Sequence, residues 1–225
     1  MTAPSPREGS PSGSFSGTSD ATSFAVTLAP HDVGDTLFVF IASDGTGAVL
    51  SCTGWTQVGA ANSTTSKGHL FRRDTVAASN AEANPTFIST ASEQYGAIAY
   101  LVPGAGLLNL QYAVTSGSSG TPDAANLSIT GGPLDCLLVV FYAFDGNVGM
   151  SAAPTGYSTP LIAKNSNSTG ATAITAFRTA TSISSENPDA ASSTSEQFAV
   201  FTIAIYETPP APAPARGGTM PMMGV

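Results

Sequence analysis

The sequence predicts an all-β protein: an antiparallel β-sandwich, jelly-roll or immunoglobulin-like, built from two internal repeats and flanked by extended N- and C-terminal arms. Three observations carry this. Short apolar runs rich in Val, Ile, Phe, Tyr and Thr suit a pleated sheet, and 23 Gly and 16 Pro punctuate them. Apolar residues at helical spacing over about eleven positions are lacking, and the Leu, Lys, Glu and Arg that cover helix surfaces are scarce. Finally, the chain resembles itself at a separation near 103 residues.

Gly17-Thr18-Ser19-Asp20 returns as Gly120-Thr121-Pro122-Asp123, and Phe24, Val26 and Pro30 answer Leu127, Ile129 and Pro133, all at 103. The stretch from Phe40 to Asp44-Gly45 answers that from Phe141 to Asp145-Gly146 at an offset of 101. Thr53-Gly54-Trp55 answers Thr155-Gly156-Tyr157 at 102, and Phe71-Arg72 answers Phe177-Arg178 at 106. Asn84-Pro85 with Asn187-Pro188, and Ser92-Glu93-Gln94-Tyr95 with Ser195-Glu196-Gln197-Phe198, restore 103. Length changes thus fall between elements and cancel, as loops allow and strands do not. The repeats are residues 17–107 and 108–207, with arms at 1–16 and 208–225.

Within each repeat the first strand, 24–28 with 127–129, alternates apolar with small or polar residues, the pattern of one wet face. The second, 37–42 with 137–144, is apolar on both faces and therefore central and buried. The Asp-Gly after each is a turn signal. Trp55 and Tyr157 open a third strand, 68–76 and 171–181 form a fourth, and a short fifth follows Pro85 and, less clearly, Pro188. Residues 95–102 and 198–206 close each repeat as a second buried strand. An additional strand with Leu108, Leu110, Tyr112 and Val114 on one face joins the repeats, and nothing comparable precedes the first. Only the short stretch Pro103-Gly104-Ala105-Gly106 separates Val102 from Leu107, and the halves are expected to share one core.

Seven Lys+Arg against fifteen Asp+Glu give a net charge of −8, and 28 Ser and 27 Thr take the place of charges on exposed faces. No basic stripe exists to displace counterions from phosphate, which argues against nucleic acid as a partner. The same deficit argues against an electrostatic membrane anchor. The longest apolar run, Leu137 to Phe144, is far short of a membrane-spanning helix. The N-terminal residues lack the apolar stretch of a signal peptide.

Chemistry is sparse. His31 in a turn and His69 at the head of an alternating strand have no histidine counterparts in the other repeat and are expected at the surface. Asp44-Gly and Asp145-Gly read as turns, since a Ca²⁺ site needs about six oxygen ligands. Glu93 and Glu196 form a symmetric carboxylate pair of the kind a glycosidase uses, but each leads into a strand and reads as an edge or cap. No catalytic, cofactor-binding or metal-binding residue is assigned, and no cofactor. Cys52 and Cys136 hold non-equivalent places and are expected to stay unpaired. Trp55, Tyr95, Tyr100, Tyr112, Tyr142, Tyr157 and Tyr206 read as half-buried aromatics with polar tips at the rim; a sugar-stacking platform among them is the alternative, with a glycan as its ligand.

The two ends differ from the body. Residues 1–16 have no strand period. Pro209, Pro210, Pro212 and Pro214 set a polyproline II stretch, followed by Arg216 and by Met220, Met222, Met223 and Val225. Met packs adaptably into another surface, so these nine residues are the expected partner-binding set.

Taken with Gly34-Asp35-Thr36-Leu37-Phe38-Val39-Phe40, Gly54-Trp55-Thr56 and the strand Gln94 to Tyr100, the chain resembles the β-sandwich virion structural proteins of tailed bacteriophages. These are capsid decoration (cement) or tail-associated proteins, and the resemblance covers residues 17–207. It implies a non-enzymatic, homo-oligomeric subunit made in the host cytoplasm without a signal peptide. Such a subunit binds the major capsid protein or tail proteins of the virion, here through its arms. A tail or fibre component is the runner-up, and a carbohydrate-binding or adhesive module the alternative from another class. The resemblance carries over no functional residue.

Overall fold

The computed structural model describes residues 3–7, 10–15, 19–74, 84–104, 108–164 and 169–207; the expected partner-binding residues, Pro209 to Val225, lie outside them. The described residues are all-β, and every strand pairing is antiparallel. The first half holds β1 (Ser12–Phe15), β2 (Ala21–Ala25), β3 (Asp35–Ser43), β4 (Leu50–Ser51), β5 (Thr56–Asn62), β6 (Lys67–Arg73), β7 (Thr86–Glu93) and β8 (Tyr95–Pro103). The second holds β9 (Leu108–Ser119), β10 (Leu127–Ser128), β11 (Leu134–Asp145), β12 (Met150–Ala152), β13 (Leu161–Lys164) and β14 (Ala171–Ile183). It ends with β15 (Ser185–Glu186), β16 (Ser192–Ser193) and β17 (Glu196–Glu207).

Each half forms one five-stranded sheet, in the order β1-β8-β3-β6-β5 and β9-β17-β11-β14-β13. The orders correspond strand for strand. A smaller sheet, β2-β7-β4, covers the outer face of the first, and the ribbons β10-β15 and β12-β16 cover that of the second. The large sheets pack face to face, so four layers lie in succession.

Strands in the middle of such a stack are wetted on neither side, which explains their unbroken apolar runs. In β3, Phe38, Phe40 and Ala42 enter the core between the large sheets while Val39 and Ile41 enter the outer core with Phe24, Phe71 and Phe87. In β11, Val139, Phe141 and Ala143 face the shared core, and Val140, Tyr142 and Phe144 the outer one. Residues of both large sheets meet in one core, and each sheet also carries an outer core of its own. Burying one such Phe contributes about 1.5–3 kcal/mol.

At the seam the Phe40 and Phe141 rings stack with centroids 5.5 Å apart. The Tyr100 hydroxyl donates to Thr175 Oγ1 across the seam at 2.9 Å. Two glycines let the sheets approach: a Cβ on Gly68 would stand 2.5 Å from the Phe201 ring, and one on Gly96 would stand 2.4 Å from the Ala163 carbonyl oxygen. The Thr-Gly-aromatic match is a shared turn. Trp55 N–H donates to Cys52 O and Tyr157 N–H to Pro154 O, both at 3.1 Å, with Gly54 and Gly156 at φ 79° and 81°. That left-handed geometry costs glycine nothing and other residues about 1–2 kcal/mol.

Three expectations need correction. A strand does precede the first half: β1 pairs with β8 as β9 pairs with β17. Small Ser and Gly hide its period, and Gly13 fits because Ala163 of the facing sheet lies against it. Tyr157 lies in a turn, and the strand it was expected to open begins only at Leu161. Asn84-Pro85 and Asn187-Pro188 are not structural counterparts. Val26 N–H donates to Pro85 O, whereas Ile129 N–H donates to Ser184 O. Residues 187–191 therefore intervene between β15 and β16, dividing in the second half what β7 makes continuous in the first.

Candidate functional site

The N-terminal residues are tied to the first half. Arg7 makes a bidentate pair with the buried carboxylate of Asp35, donating through Nε at 2.8 Å and Nη2 at 2.7 Å. Its Nη1 lies 2.7 Å from Asp32. Arg7 N–H also donates to Leu101 O, and Leu101 N–H to Ser10 Oγ, each at 2.8 Å. Fork geometry of this kind is what planar guanidinium offers a carboxylate. The Asp-x-x-Asp spacing around Gly34 was the sequence signal for this clasp.

Glu93 and Glu196 differ in setting. Glu93 belongs to an acidic corner with Asp44 and Asp20. The Asp44 carboxylate accepts Gln94 N–H at 2.5 Å, and Gln94 Nε2 donates to Asp20 at 3.2 Å. Burial, and then the neighbouring Glu93, push the Asp44 carboxyl up to about 7, and burial raises Glu93 as well. Glu196 heads β17 opposite Ser119 and accepts the N–H of Gln197 at 3.3 Å. The corner braces the turn after β3 to the start of β8, much as an edge or cap would.

Both histidines are buried, His31 at 5% and His69 at 0% exposure, contrary to the surface expectation. His69 packs on Phe71 and lies 3.2 Å from Gln57 Nε2 through Nδ1. Burial, with Lys67 nearby, lowers its pKa to about 3, so it packs as a neutral aromatic ring. His31 Nδ1 lies 3.1 Å from Ala29 O.

The aromatic platform does not assemble. Tyr95, Tyr100 and Tyr142 are fully buried. Tyr157 donates to Glu186 at 2.9 Å, under the Arg178 guanidinium that also bonds Glu186, and the Glu186 carboxylate raises its pKa further beyond the effect of burial. Tyr206 accepts from Gln111 at 2.6 Å, and Gln111 also holds Thr130. Trp55 is half-buried against Phe87. Cys52 and Cys136 are free thiols, and burial pushes Cys136 up to about 11.

Among the described residues no three His, Cys, Asp or Glu side chains are grouped to hold a metal ion, and no helix is long and apolar enough to cross a membrane. A crevice of about 410 Å³ opens at the seam, lined by Pro11, Tyr100, Pro160, Leu161, Thr175 and Phe177. Smaller recesses lie beside Met150 and beside Trp55. Glu93, Glu196, His31 and His69 line none of the three. The chain matches no protein-family model, no curated protein and no solved structure.

Proposed function

We propose that this chain is a duplicated β-sandwich that serves as a non-enzymatic virion structural subunit, a capsid decoration (cement) protein of a tailed bacteriophage. The observation that carries the reading is the pair of five-stranded sheets with corresponding strand order, packed face to face with Phe40 on Phe141. Such a block is rigid, and its described charges tie loops down: Arg7 to Asp32 and Asp35, Arg178 to Glu186. Because the N-terminal residues clasp their own half, attachment falls to residues 208–225. Eighteen residues in polyproline II geometry would span roughly 55 Å at ~3.1 Å each.

The test compares the full chain with one ending at Glu207 on particles purified from infected cells. The shortened chain should keep its thermal stability and lose most of its retention on the particle. Equal retention of both would remove the role given to the arm. Absence of the full chain from particles imaged at subunit resolution would end the virion reading, and density at the tail would favour the tail component.

A further inference from the structure

The outer strands of the two large sheets differ in their protection. An edge strand presents unpaired backbone N–H and C=O groups to any incoming strand, and proteins blunt such edges with shortness, charge, proline or bulges. β1 and β13 have four residues each, and each follows a proline, Pro11 and Pro160. β13 ends in Lys164. β5 has a register shift between Gln57 and Gly59.

β9 has none of these devices. It runs for 12 residues without a charge or a proline, and its register with β17 is unbroken from Leu108 to Ser119. Among the described residues no strand pairs with its other side. Its far end is open, with Tyr112 38% and Val114 44% exposed and Thr115, Ser116 and Ser118 exposed.

We propose that β9 is a self-pairing edge, along which two copies of this chain join antiparallel through Tyr112–Ser118 and extend the two β9-bearing sheets into one. Charge confines the contact between two copies to this edge. Copies carrying a net charge of −8 repel one another over most of their surface, while along β9 self-pairing sets no like charges opposite each other. About a two-fold axis near Thr115, Tyr112 and Val114 of each copy meet Ser118 and Ser116 of the other on the same sheet face. Two exposed apolar side chains per chain are thereby covered. The chain's own Pro-rich segment is a poor occupant, since prolines 209, 210, 212 and 214 cannot donate to a ladder. This pairing is independent of the virion reading.

Sedimentation velocity of the full chain over a 100-fold concentration range tests it, beside a Val114→Lys/Ser116→Lys double variant. The wild type should form a dimer, and the variant's dissociation constant should rise at least tenfold. Hydrogen exchange of wild-type amides 112–118 should slow as concentration rises, a readout that needs no variant. A wild type that stays monomeric, a variant that dimerises as tightly, or exchange at 112–118 independent of concentration would each overturn the proposal. The chain ending at Glu207 should still dimerise; if it does not, the arm makes the contact and the proposal fails.

Discussion

Replacing Gly96 with alanine puts a methyl group where the backbone of the facing sheet already stands. Its Cβ would lie 2.4 Å from Ala163 O, 2.9 Å from Ala173 N and 3.3 Å from Ala171 O. Those atoms belong to β13 and β14, which are paired at Ala163 and Ala173, so no rotamer change relieves the clash. An ordinary contact needs about 3.5 Å, so the sheets must part locally by roughly 1 Å, and a gap of that size forfeits up to about half of each contact's attraction. Phe40, Phe141 and Phe201 share this core and lose part of their packing. The expected cost is the upper end of overpacking, about 3 kcal/mol, or a fall of roughly 6–12 °C in unfolding midpoint for a chain of this size. Gly117 is the control. A Cβ there meets Phe198 at 3.5 Å, ordinary contact, and alanine narrows the unfolded ensemble by about 0.4–1 kcal/mol. Circular dichroism melts of both variants decide the matter. A Gly96→Ala midpoint within about 2 °C of wild type, or an equal fall in Gly117→Ala, would refute the close-approach account.

Arg7→Ala leaves the Asp35 carboxylate, 1% exposed, without its guanidinium and should cost about 2–3 kcal/mol; hydrogen exchange at Leu101, whose N–H bonds Ser10, should quicken in the same variant. Asp44 holds a proton up to about pH 7 in the folded chain, while an unfolded carboxyl releases it near about pH 4. Stability contributed by this group is therefore full below about pH 4 and is lost as pH rises through the folded value. Melts from pH 4 to 8 should show that decline in the wild type and a flatter profile in Asp44→Asn, whose amide oxygen still accepts Gln94 N–H; parallel profiles would remove Asp44 as the cause.

Strands buried on both faces are legible in sequence because nothing interrupts their apolar run, as Leu37 to Ala42 and Leu137 to Phe144 illustrate. The Thr-Gly-aromatic match is legible as a recurring string, but its turn is not: the sequence reads it as the opening of a strand, and the left-handed position at Gly54 and Gly156 shows only in the backbone. β1 is not legible. Ser12 and Gly13 carry no apolar signal, and their strand state comes from the free edge of β8. Asn187-Pro188 misleads because Pro ends a pairing wherever it falls, so the same dipeptide borders a strand in one half and a loop in the other. His69 misleads because polarity suggests water, while its neutral imidazole packs like a small aromatic once Gln57 and Phe71 enclose it. For the site, sequence offers residue types but not their pairing: the Asp44–Gln94–Asp20 corner joins three segments that the chain order separates. The arm is legible only as composition.

The contact between Phe40 and Phe141 has a consequence for how the two faces can vary. These residues hold corresponding places, opposite Ile98 on β8 and Phe201 on β17, and a residue meeting its own counterpart is what a two-fold axis imposes on separate identical subunits. In such a dimer every substitution occurs twice, so a bulky change at the axis collides with itself. Here both faces belong to one polypeptide and can change singly. Gly96 sits opposite Ala42, while the matching place opposite Ala143 is Ala199. One face lacks a methyl group where the backbone of its neighbour comes close, and the other carries one. Covalent linkage also makes the meeting of the faces first-order, so dilution cannot separate them.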